Sequence, residues 1–208
     1  KETESKFFTY ANGIFQSLNH LLWPAVCVCC RESICQSRYG LCRRCREQLL
    51  CAAGGDYCPG CGKDVSRYAV LNGRCPQCQC QEMHFDSIAR GGIYTESLRT
   101  MILGFKKSRT ELDEVLGFLA ESALQGSGFY EEIDFVVPVP LHWSRRLWRG
   151  YNQSMILAKK LKHPMAKINT DLVRIKRTRR QPEAVTAARR AANFARAFAV
   201  RYRPEVAG

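Results

Sequence analysis

The stretch from Val137 to Gln153 reads V-P-V-P-L-H-W-S-R-R-L-W-R-G-Y-N-Q. Ile133, Phe135, Val136, Val137 and Val139 are β-branched or aromatic, and Pro138 and Pro140 close the run, so the pattern predicts a buried strand of about six residues. Arg145, Arg146 and Arg149 follow within one loop. Gly150 then frees the backbone, and Asn152 can cap a helix that continues from Ser154 with Met155, Ile156, Leu157 and Leu161 as its apolar positions. A strand that delivers a loop and then a helix start aims backbone N–H groups at an anion, and three guanidiniums add forked donors for phosphate oxygens. An isolated R-R-x-x-R is commonly a solvated basic turn. The strand before it and the Gly-Tyr-Asn-Gln after it favour the phosphate reading here.

Charge distribution points the same way. The net charge of the 208 residues is +13. Residues 133–208 hold 17 Lys and Arg against 4 Asp and Glu, while the +3 of residues 1–84 and the −3 of residues 85–132 cancel. A basic last third of this kind attracts nucleotides, pyrophosphate or a nucleic-acid backbone without choosing among them.

Cysteine spacing is the second strong signal. Four C-x-x-C pairs occur in the first 80 residues: Cys27/Cys30, Cys42/Cys45, Cys58/Cys61 and Cys75/Cys78. Two such pairs supply one tetrahedral thiolate site, and the intervening loops of 11 and 13 residues are alike in length, which favours two zinc ribbons in tandem, both structural. Pro59, Gly60, Gly62 and Pro76 suit tight turns that face backbone N–H groups to sulfur. A cross-brace, pairing first with third and second with fourth, uses the same ligands, and an all-thiolate set also accepts iron. A disulfide framework fits less well, because no secretory signal precedes the cysteines and the remainder does not resemble a small secreted scaffold. Cys29, Cys35, Cys51 and Cys80 are left over; Cys29 or Cys80 could replace a neighbouring ligand.

The chain is long enough for a small metal-stabilised unit and one larger core. The expected division is an N-terminal helix over 1–24, a double zinc ribbon over 25–84 and a larger domain over 85–208. The helix rests on the stripe Phe7, Phe8, Ile14, Phe15, Leu18, Leu21 and Leu22, ending at Trp23-Pro24; with only Lys1 and Lys6 as cations it suits packing better than a membrane surface. No run approaches the roughly 18 apolar residues of a membrane span, so a cytoplasmic protein is expected. Phe85 to Tyr94 predicts a strand. Leu98, Met101, Ile102 and Phe105 fall on one helical face, and Leu112, Val115, Leu116, Leu119 and Ala123 on another, broken by Gly126-Ser127-Gly128. Asp171 to Lys176 and Ala197 to Val200 predict two more strands. Strands alternating with helices imply a parallel α/β sheet with ligands at the strands' carboxyl ends. The arginine- and alanine-rich stretch from Arg177 through Arg189, Arg190 and Asn193 reads equally as a basic hood over a charged substrate or as an exposed amphipathic helix.

Taken together, the doubled C-x-x-C module, the Leu98-to-Lys106 helix, V-P-V-P-L-H-W-S-R-R-L-W-R-G-Y-N-Q and the later T-R-R-Q…R-x-x-N…A-F resemble the ComF family of competence-associated, phosphoribosyltransferase-like proteins. The resemblance covers nearly the whole chain. It implies an incomplete type I phosphoribosyltransferase-like parallel sheet preceded by the double zinc ribbon. Leu141 to Tyr151 would be the pyrophosphate-side loop and Arg177 to Asn193 the flexible loop, with a Gln181 to Asn193 spacing about one residue longer than the family pattern. Arg145, Arg146 and Arg149 would then stabilise charge on leaving pyrophosphate, with Gly150, Tyr151, Asn152, Gln153, Arg177 and Gln181 around the ligand. The family's D-D-x-x-T-T-G motif for PRPP would follow Val206-Ala207-Gly208 and is not in this sequence, which also begins at Lys1 rather than methionine. The expectation is a C-terminally truncated member, inactive alone and with apolar sheet surface exposed, in which Mg²⁺ with PRPP belongs to the complete protein.

That resemblance implies a part in DNA uptake during natural transformation, with single-stranded DNA and proteins of the competence machinery as partners. The competing class is a binding protein without catalysis, in which the ribbons and the basic surface grip single-stranded nucleic acid and Trp143, Trp148 and Tyr151 stack on bases.

Overall fold

Cys42 is at once a candidate metal ligand and a helix cap: its Sγ accepts the backbone N–H of Cys45, which starts α1 (Arg43–Ala53). This computed structural model describes residues 24–34, 38–80, 83–178 and 186–201. The stripe expected to form an N-terminal helix, and Gln181, lie outside them. Helix α1 buries Cys45, Leu49 and Ala52, spaced i, i+4 and i+7. The short α2 (Pro76–Gln79) begins at the Cys75–Pro76 step, with proline at its first position where no N–H is needed.

The main core lies between α3 (Glu96–Phe105) and α4 (Asp113–Gln125), the two helices that apolar periodicity predicts. Leu98, Met101 and Phe105 from α3 meet Leu112, Val115, Leu116 and Leu119, and Met101 and Leu112 are wholly buried. Burying a side chain of this size contributes about 1.5–3 kcal/mol. Gly126 ends α4, as the Gly-Ser-Gly break implies.

After the expected strand come α5 (Trp143–Arg149) and α6 (Gln153–Lys160). Gly117 of α4 lets α6 approach closely, since a Cβ there would lie 2.7 Å from the Cβ of Lys160. Lys160 is then held by Asp113 at 3.2 Å and by Glu114, both in the first turn of α4.

Several expectations change. The arginines do not sit in a loop: residues 143–149 are helical, because His142 caps the start by accepting the Ser144 N–H and Gly150, at φ 80°, ends the helix in the left-handed region. The expected buried strand shrinks to β1 (Phe135–Val136), and Phe135, Val137 and Val139 are exposed. Pro138 and Pro140 have no N–H to extend a ladder, and the strand paired with β1 among the described residues, β2 (Lys167–Ile168), is itself exposed. Phe85 to Tyr94 is irregular where a strand is expected. Its amides go to loop and helix-end carbonyls, Ile88 to Pro59 at 2.7 Å and Ile93 to Ala52 at 2.8 Å, so it straps α1 to the second cysteine module.

The β1–β2 ladder is parallel. In contrast, β3 (Leu172–Arg174) and β4 (Phe198–Val200) form a separate antiparallel pair, so the described strands make two small ladders rather than one parallel sheet. Helix α7 (Ala187–Phe194), capped by Thr186, precedes β4, and Phe194 stacks on Phe198 at 6.2 Å.

Candidate metal centres and anion site

The eight paired cysteines gather into two groups in chain order, Cys27/Cys30/Cys42/Cys45 and Cys58/Cys61/Cys75/Cys78, with the sulfurs of each within 4.8 Å of one another. The pairing is sequential, not cross-braced. A tetrahedral thiolate site with metal–sulfur bonds of about 2.3 Å puts its sulfurs about 3.8 Å apart. Cys30 and Cys42 are 3.7 Å apart, Cys58 and Cys78 3.6 Å, Cys61 and Cys75 3.7 Å, and Cys75 and Cys78 3.8 Å. These distances match the edges such a site would have and are far too long for disulfides. Both groups therefore fit a zinc-type ion, which when bound would cross-link the loops.

The two knuckles are built alike. Cys27 N–H reaches Glu32 O and Arg31 N–H returns to Cys27 O, as Cys58 N–H reaches Lys63 O and Gly62 N–H returns to Cys58 O. The residue after the second cysteine takes positive φ in each, Arg31 at 65° and Gly62 at 75°. Cys42 N–H points at Cys27 Sγ (3.3 Å) and Cys75 N–H at Cys58 Sγ (3.2 Å). Burial alone would raise the Cys27 and Cys58 thiols, but backbone N–H groups, Cys42's and Cys75's foremost, outweigh it and lower both to about 6. A thiol lowered in this way gives up its proton to a metal ion more readily than an ordinary cysteine does. Cys29 stands outside the first group, its Sγ 3.9 Å from Ser97 O, and Cys51 and Cys80 are exposed.

On α5, Arg145, Arg146 and Arg149 occupy one face, at i, i+1 and i+4. Arg146 is exposed, and Arg145 and Arg149 are half-buried. Arg145 Nη2 donates to Thr178 O at 2.6 Å and Arg149 Nη1 to Gln153 Oε1 at 3.4 Å. Asn152 accepts the Ser154 N–H to cap α6 and donates to Val139 O, fixing the turn against the end of the β1 segment. Tyr151 donates to Phe105 O and packs on the Phe105 ring at 5.9 Å. It is a packing residue, unlike Trp143 and Trp148, which are 70% and 78% exposed. Arg177 is exposed, and its neighbour Thr178 is the residue that meets the arginine helix.

Sequence reasoning passed over Arg174. It donates to the Thr178 hydroxyl and lies over the rings of Phe194 and Phe198, at 5.2 and 5.4 Å. Burial, and next the Arg145 guanidinium, hold it below the usual arginine range. A charged residue among Leu172, Val173 and Ile175 in a short apolar strand was the available signal. Some basic side chains elsewhere meet acids, as Arg43 meets Glu47, Arg90 meets Asp64 and Arg109 meets Glu111. Among the described residues no ion pair includes Arg145, Arg146 or Arg174. The Nε of Arg174 and Nε2 of Gln153 are buried donors without a hydrogen-bond partner among the described residues. Clustered, uncompensated cations with unused donors are what an anion's oxygens satisfy.

The chain is similar to competence protein F of Haemophilus influenzae, at 29% identity over 84% of this chain and 76% of that protein. It is 31% identical to the DNA utilization protein YhgH of Salmonella typhimurium over 67% of this chain and 61% of the relative. A third relative, competence protein ComFC of Bacillus subtilis, is 29% identical over 63% of this chain and 57% of its own length. The chain thus spans about three quarters of the first relative and about three fifths of the other two. No family model and no solved structure matches.

Proposed function

We propose, for a chain that belongs to the ComF family, that it serves DNA uptake in the cytoplasm as a phosphoribosyltransferase-like protein carrying two structural zinc ions. In this reading the double ribbon of residues 25–84 leads into a phosphoribosyltransferase-like domain, and the arginine face of α5 with the Gly150–Gln153 turn receives pyrophosphate or PRPP. The observation that carries it is the gathering of Arg145, Arg146 and Arg174, none of which joins an ion pair among the described residues, beside the cap of α6.

In the complete protein the chemistry would be displacement at the sugar carbon of PRPP. The bond from C1 to the pyrophosphate oxygen breaks, an acceptor nucleophile forms the new bond to C1, and pyrophosphate leaves with the bonding electron pair. Arg145 and Arg146 would stabilise the charge that grows on the leaving oxygens, which needs no protein nucleophile. Among the described residues only the two four-cysteine groups bring three or more metal-ligating side chains together. Mg²⁺ with PRPP belongs to the complete protein in this reading, and no step here depends on a protein-bound one.

The exposure of Trp143 and Trp148 beside these arginines favours a second reading, a surface for single-stranded DNA. Calorimetric titrations of the same protein with pyrophosphate, PRPP and an oligothymidylate, each at several salt concentrations, separate the two. Saturable pyrophosphate or PRPP binding supports the first. Oligonucleotide binding that falls steeply with salt, without pyrophosphate binding, supports the second.

A further inference from the structure

The two cysteine centres are built alike but embedded differently. Cys27, Cys29, Leu41, Cys45 and Leu49 belong to the same buried cluster as Leu98, Met101, Phe105, Leu112, Val115, Leu116 and Leu119, with Tyr151, Ile156 and Leu157 packed against it. Polar ties reinforce this. Arg109 donates to Val28 O inside the first knuckle, Ser97 Oγ meets Gln48 Oε1 at 2.5 Å, and Tyr39 packs on Phe118 at 5.0 Å. The second centre forms a cluster of its own, Cys58, Cys75 and Cys78 with Cys61, Val65 and Val70. It is joined to the rest mainly by the strap, where Arg90 donates to Gly62 O and Asp64 and its amide to the Tyr57 hydroxyl, and Ile88 N–H to Pro59 O.

We propose that the first four-cysteine centre is a folding element of the larger domain that holds the arginine segment in place, whereas the second is an appended module whose metal that segment does not need. The route is continuous. A metal at Cys27, Cys30, Cys42 and Cys45 fixes the knuckle and the start of α1, and these pack on α3. The last turn of α3 presents Phe105, whose carbonyl and ring hold Tyr151 one residue beyond the Gly150 cap of the arginine helix. Without the metal, four thiols would remain in a core where Cys27 is 0% and Cys45 3% exposed, with nothing to close the loop around them. Loss of the second metal leaves the α3–α4 core with all its apolar partners.

The test compares Cys45→Ser with Cys78→Ser by bound-metal stoichiometry, amide hydrogen exchange and pyrophosphate titration; only the last readout rests on the function proposed above. Cys45→Ser is expected to lose one metal, to speed exchange across residues 96–125 and 151–157 by about tenfold or more, and to weaken pyrophosphate binding by a similar factor. Cys78→Ser should lose the other metal, loosen residues 55–80 and 86–93, and leave pyrophosphate affinity within about twofold. If Cys45→Ser yields no soluble protein, stepwise chelation of the wild type followed by hydrogen exchange gives the same comparison. Equal loosening of residues 96–125 on loss of either metal, or none on loss of the first, overturns the proposal. Failure of the wild type to bind pyrophosphate refutes the function proposed above and leaves the exchange result standing by itself.

Discussion

The Tyr151 hydroxyl donates to the carbonyl oxygen of Phe105, joining the residue that follows the arginine helix and its Gly150 cap to the last turn of α3. The bond spans 46 residues of sequence and lies against the Phe105 ring. It makes the position of the arginine face a property of the core. Tyr151→Phe keeps the ring and removes the bond, so about 1 kcal/mol of stability should be lost. Thermal unfolding measures the loss, and pyrophosphate affinity should fall with it while both metals remain bound.

Helix packing makes a sharper prediction at Gly117. A methyl there would lie 2.7 Å from Lys160 Cβ, which α4 and α6 can relieve only by moving apart. Gly117→Ala should therefore cost about 1–3 kcal/mol in urea unfolding despite the better helix propensity of alanine. Gly128, whose added Cβ would meet nothing within 4 Å, is the control and should be near neutral.

Gly150 ends α5 at φ 80°, where an L side chain is strained. Gly150→Ala should destabilise by about 1–2 kcal/mol. It should also weaken pyrophosphate binding more than Gly128→Ala does, because the strain falls between Arg149 and Tyr151.

Acid sensitivity has an identifiable contributor in Glu111. Burial would raise its carboxyl, but its own backbone N–H and the Arg109 guanidinium outweigh that, and its pKa is lowered. The folded pKa lies below the unfolded one, so the stabilisation is present above the unfolded carboxylate value and disappears as pH falls through the folded value. Glu111→Gln should lower the melting temperature at about pH 7 and converge on the wild type toward about pH 3, a comparison that a series of thermal scans settles.

The parts of this fold legible in the sequence are those fixed by short-range pattern. The metal groups follow from the two-residue spacing in each C-x-x-C, and α3 and α4 from apolar residues at helical intervals. Asn152 caps a helix and Gly126 ends one because those roles depend on local backbone chemistry. Where the reading went astray, the deciding contacts are distant or the local pattern is ambiguous. Residues 145–149 are helical because His142 and Gly150 cap both ends, a pair of signals hidden by the cluster of positive charge. Phe85 to Tyr94 has a strand's composition, but its amides find carbonyls at Pro59 and Ala52. Arg174 meets Thr178, Phe194 and Phe198, which no spacing rule joins.

A pyrophosphate titration of the wild type and of Arg145→Gln/Arg146→Gln, in about 0.15 M salt where well-separated exposed charges are largely screened, tests the arginine site most directly. Saturable binding by the wild type, weakened by about tenfold or more in the double variant with both metals retained, is the predicted result. Equal affinity in the two proteins, or no binding by the wild type, would contradict it.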